Sequence, residues 1–115
     1  VPYLPADRDG RNPAFDGVWG KFVDLCRKKG FVGASWKTTG VKPPDIRRAS
    51  FDGETGEIGV VRRSVSITPL SFIELSFHYT GKTGKHTPPE IRSLSKSIGI
   101  QLGREIRQLG QYLED

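Results

Sequence analysis

The chain has 115 residues, of which 35% are hydrophobic and 27% charged, a mixture that fits one packed domain and excludes a long disordered tail. Eighteen Lys and Arg against thirteen Asp and Glu give a net charge of +5, a balance that favours anionic partners. The longest apolar runs fall well short of the roughly 18 residues that span a bilayer, so no transmembrane segment is expected.

The one cysteine excludes an internal disulfide and a cysteine-based metal cage, and it leans the chain towards an intracellular setting, cytoplasmic or nuclear. Methionine is absent and the chain opens at Val1, which points to a processed product or a domain of a larger protein.

In chain order, residues 1–12 carry two prolines and no sustained period and read as an extended N-terminal arm. Residues 13–115 read as a single α+β domain. Asn12 as a cap, Pro13 at the first helical position, and Phe15, Val18, Trp19, Phe22 and Cys26 at helical spacing predict a helix that ends at Gly30. Phe31 to Lys37 is the expected first strand, followed by a loop from Thr38 to Asp45 around the paired prolines. Ile46 to Phe51 and Glu57 to Ile67 flank the glycine-bearing segment 52–56, which predicts a hairpin between these two strands. A change of alternation phase within the second arm predicts a bulge near Gly59. Leu70 to Tyr79 alternates with Ile73, Leu75, Phe77 and Tyr79 on one face, the clearest strand pattern in the chain.

A basic loop, Thr80 to His86, precedes Thr87-Pro88-Pro89-Glu90, the expected start of the last helix. Its apolar stripe is Ile91, Leu94, Ile98, Leu102, Ile106, Leu109 and Leu113. The element order is α-β-β-β(β)-α, an antiparallel sheet of three or four strands with an N-terminal and a long C-terminal helix packed on one face. This order, with Lys and Arg at the start of the last helix, resembles the layout of double-stranded-RNA-binding domains, and Lys21 to Phe31 is similar to part of their first helix. The last helix, however, opens Thr87-Pro88-Pro89-Glu90 in place of that family's basic, alanine-rich run, so no functional residue is carried over.

No constellation of acid, base and nucleophile emerges, and the chain reads as non-enzymatic. Gly81-Lys82-Thr83 has the end of a phosphate-binding loop but lacks the glycine five positions earlier, where Ser76 stands within a strand. His78 and His86 have no ligand partners at metal spacing, and Cys26 sits on an apolar helix face, so no cofactor or metal is expected.

Charge placement carries more. A hairpin turning around Gly53 to Thr55 brings Arg47 and Arg48 opposite Arg62 and Arg63, and four facing arginines call for an anion. Lys82 and Lys85 add a basic loop, while Arg92, Lys96 and Arg107 form a strip on the last helix with Arg104 at its edge. Trp36 beside Lys37 is the candidate for stacking on a base. The expected function is therefore nucleic-acid binding, RNA or DNA. The alternative is a protein-interaction or self-assembly module of a larger regulatory or viral protein, in contact through the small residues Ser95, Gly99 and Gly103.

Overall fold

A computed structural model describes residues 13–51, 57–80 and 88–112. The N-terminal arm, the segment 52–56, the loop that carries Lys82 and Lys85, the capping Thr87 and the last stripe residue Leu113 lie outside the described residues.

A single 3-10 turn, Pro13–Phe15, leads into α1 (Asp16–Lys28). Val18, Phe22 and Cys26, four residues apart, are its buried positions, and Asp16 in the first turn with Arg27 and Lys28 in the last complement the helix dipole. The helix stops as its sequence directs. Gly30 takes φ +87, its amide donates to the Arg27 carbonyl, and the Phe31 amide donates to the Cys26 carbonyl, the paired bonds of a Schellman ending.

Four strands follow, β1 (Gly33–Thr39), β2 (Ile46–Ser50), β3 (Glu57–Thr68) and β4 (Ser71–Thr80), and then α2 (Pro88–Gln108), which runs into a 3-10 turn at Leu109–Tyr112. The strands form one antiparallel sheet in the order β2-β1-β4-β3. The expected hairpin of β2 with β3 is therefore not formed. β2 pairs with β1, β3 pairs with β4, and the two arginine-bearing strands occupy opposite edges. Burial fits the choice: β1 and β4 place Ala34, Trp36, Ile73, Leu75 and Phe77 in the core, whereas the inward arginines stand on the edge strands, Arg47 paired with the buried Asp45 and Arg63 bonded to α2. The bulge near Gly59 is present, as a register shift between Glu57 and Gly59. A side chain at Gly59 would run into the Tyr79 ring, whose Oη lies 2.6 Å from where a Cβ would sit.

Both helices cover the same face, α1 over β1 and α2 over β3. Between helices and sheet lies an aromatic cluster in which Phe22 stacks on Trp36 at 6.1 Å, Phe15 and Trp19 meet Trp36 edge-on, and Phe77 meets Phe22 edge-on. Ile91, Ile98, Leu102, Ile106 and Leu109 of the predicted stripe close the core from α2 and its terminal turn. Among the described residues no helix is long and apolar enough to cross a membrane.

Candidate nucleic-acid interface

Each Arg-Arg pair sits on a strand, so its members point to opposite faces. Arg47, Trp36, Leu75 and Arg63 stand in one row across the inner face, and Arg48, Ser35, Ser76 and Arg62 stand in the adjacent row on the outer face. The four arginines therefore do not form one cluster.

Arg47 serves the fold. It is 4% exposed, and its guanidinium grips the fully buried Asp45 with Nε on Oδ1 at 2.8 Å and Nη2 on Oδ2 at 3.1 Å, while Nη1 reaches Asp16 at 2.7 Å. Burial by itself would lower its pKa. The hydrogen bonds to Asp45 and Asp16 outweigh that and hold the guanidinium above its ordinary value. Trp36 is engaged at the same carboxylate, its Nε1 donating to Asp45 Oδ1 at 2.7 Å, and it is 2% exposed. Neither side chain presents itself to a phosphate or a base, which corrects the expectation for both. The reason is the buried carboxylate: Asp45 and Arg47, two apart in an extended segment, face the same way, and the Asp45 amide, donating to Thr38 Oγ1 at 2.7 Å, pins the segment to β1.

On the outer face no described helix covers the sheet. Arg48 and Arg62 end their row about 14 Å apart, three strand spacings of about 4.8 Å. Lys37 lies in the next row, Glu74 approaches Arg62 at 3.8 Å, and Ser35 is hydrogen-bonded to His78 Nε2 at 2.9 Å. Charge is thin here.

Charge gathers instead where β3 meets α2. Arg63 donates from Nε to Ser95 Oγ at 3.0 Å and from Nη2 to the Arg92 carbonyl at 3.0 Å, which ties the edge strand to the helix. Beside this tie runs a groove of about 420 Å³ walled by Arg63, Lys96 and Arg107, with no carboxylate among the described residues that line it. Arg92 and Arg104 are exposed on α2, whereas Arg62 is exposed on the outer face of β3 near Glu74. None of Arg63, Lys96, Arg107 or Arg92 is ion-paired to a carboxylate among the described residues. Of the four paired arginines only Arg63 thus joins the helical strip; Arg62 faces the outer side of the sheet, and Arg47 and Arg48 lie at the far edge.

The small residues divide in the same way. Ser95 is fully buried, its hydroxyl held by Arg63 and the Arg92 carbonyl, so it forms no outer contact surface. Gly110 fits closely under the Ile67 carbonyl, 3.1 Å from where a Cβ would stand. Gly99 and Gly103 have no such tight fit: a Cβ would meet only the Val65 methyl at 3.9 Å in one case and Arg107 Nη1 at 3.4 Å in the other, and both glycines line the groove. Ile100, Ser64 and Ser66 line it too and carry no sequence pattern of their own, although Ile100 stands off the apolar stripe between Ile98 and Leu102.

Comparisons with protein-family models, with curated proteins and with solved structures find no match for this chain.

Proposed function

We propose that this domain binds nucleic acid, RNA or DNA, without catalysis, and that the flank of β3 and α2 receives the phosphates. The observation that supports this reading is the groove walled by Arg63, Lys96 and Arg107 with no carboxylate among its described lining residues. Three cations set together without a neighbouring carboxylate repel one another, and an anionic polymer relieves that repulsion while releasing its own counterions. The groove's charged groups are one lysine and two arginines, side chains whose N–H donors suit phosphate oxygens. The same repulsion opposes self-assembly through this flank, because a second copy would bring cations against cations.

Titration of a fluorescent oligonucleotide at several salt concentrations tests the proposal. Three phosphate contacts lower log K by about 2–3 per tenfold rise in salt. Absence of salt-sensitive binding at low ionic strength refutes it.

A further inference from the structure

We infer that the nucleic acid is held as a single strand with its bases turned into the groove between β3 and α2, an inference that rests on the nucleic-acid reading of that flank. Four consecutive residues of β3, Arg63 to Ser66, line the groove. Successive strand residues point to opposite faces, so all four can border one cavity only if it runs along the strand's edge. That edge belongs to the outer strand of the sheet and is paired to no other strand among the described residues. The groove thus offers a row of backbone amides and carbonyls at hydrogen-bonding pitch, and the Ser64 and Ser66 hydroxyls beside them.

Across from this polar edge α2 presents the apolar Ile100 between the cations Lys96 and Arg107. Ile100 is 69% exposed, and beside it Gly99 leaves a flat floor that internal packing does not demand, while Gly103 lies buried under the Arg107 guanidinium. Cations stand at the rim. Hydrogen-bonding edge, apolar Ile100 and cationic rim are the three surfaces that a nucleotide needs for its base edge, its base face and its phosphate. A peptide strand could pair with the β3 edge, but its uncharged backbone leaves Arg63, Lys96 and Arg107 unanswered, whereas a nucleic acid brings a phosphate with every nucleotide. A duplex keeps its base edges inside its own grooves, where a protruding element must enter to read them. This flank is concave, so a duplex would touch the rim alone.

The test compares labelled single-stranded DNA and RNA 12-mers with blunt duplexes of the same sequence on the full chain. Single strands are expected to bind about ten-fold tighter than duplexes, the scale of covering one exposed aliphatic side chain such as Ile100. Gly99→Leu, which fills the groove away from the Arg107 guanidinium and without altering charge, is expected to weaken single-strand binding about ten-fold while leaving the salt dependence unchanged; Ile100→Ser, which keeps the backbone intact, is expected to do the same should Gly99→Leu fail to fold. Duplex binding equal to or tighter than single-strand binding overturns the inference and leaves the phosphate reading standing. Displacement of the oligonucleotide by an oligoglutamate peptide at equal charge also overturns it, since a merely cationic surface would behave so. If neither single strand nor duplex binds at low salt, the functional reading itself falls.

Discussion

Asp45 and Arg47 form a buried ion pair with two hydrogen bonds, at 2.8 and 3.1 Å, and the same carboxylate accepts the Trp36 indole at 2.7 Å. Removing one partner of such a pair leaves an uncompensated charge in the interior, at a cost of about 3–5 kcal/mol. Asp45→Ala and Arg47→Ala are each expected to lose that amount in urea unfolding, a large share of the roughly 5–15 kcal/mol that holds a domain together. The folded fraction of Arg47→Ala is expected to bind oligonucleotide as the parent does, because the guanidinium faces the core. A loss below about 1 kcal/mol would show that the pair is not the anchor described.

Glycines at two positions have opposite consequences. Gly40 has φ +80, and a Cβ there would collide with the Leu70 carbonyl and stand 3.0 Å from Ser71 Cα. Gly40→Ala is expected to destabilise by about 2–4 kcal/mol, from left-handed strain and overpacking together. Gly99 sits within α2 with its nearest obstacle at ordinary contact distance, 3.9 Å. Gly99→Ala is expected to stabilise by about 0.5–1 kcal/mol through helix propensity while weakening single-strand binding. Thermal unfolding and anisotropy on the same samples separate the two effects; a stabilised variant with unaltered binding would remove Gly99 from the groove's working surface.

The two helices and β4 are legible in the sequence because their periods are local: Val18, Phe22 and Cys26 recur at helical spacing, and Ile73, Leu75 and Phe77 alternate cleanly. Strand pairing is not. The glycines between β2 and β3 carry a turn signal, but the pairing fits burial across the whole sheet, with the arginine-bearing strands at the edges. Two-residue alternation parts Arg47 from Arg48 and Arg62 from Arg63 onto opposite faces, so a single four-arginine cluster conflicts with the strands that carry it. Trp36 misleads for a related reason, since its neighbour Lys37 is exposed while Trp36 itself points to Asp45. The basic strip of α2 follows from the helical wheel, yet its meeting with Arg63 depends on a long-range contact that no local pattern encodes.

Cys26 is fully buried against the aromatic core, and burial pushes its thiol pKa up. In the unfolded chain the thiol ionises at about pH 8.5, so above that pH the unfolded state releases a proton that the folded state keeps. The contribution of Cys26 to stability is therefore complete below about pH 8.5 and declines as pH rises further, by at most about 1.4 kcal/mol per unit. The stability difference between the parent and Cys26→Ala, measured by urea unfolding, is expected to be constant from about pH 6 to 8 and to shift against the parent from about pH 9 to 10. Native protein is also expected to resist alkylation by iodoacetamide until it is unfolded. Rapid labelling under native conditions would contradict the burial.

The two edges of the sheet provide the sharpest contrast for the charge argument. Lys96 and Arg107 wall the groove beside β3, whereas Arg48 stands about 14 Å across the outer face on β2. Removing one phosphate-binding cation reduces the salt slope by about 0.7 for a single strand and about 0.9 for a duplex. The double variant Lys96→Ala with Arg107→Ala is thus expected to lower the slope by about 1.4–1.8 and to weaken binding at low salt, while Arg48→Ala changes affinity less than about two-fold. Salt titrations by anisotropy on the three proteins read both quantities. An Arg48→Ala loss equal to that of the groove double variant would move the interface to the outer sheet face, where the serine row between Arg48 and Arg62 would then carry the backbone contacts.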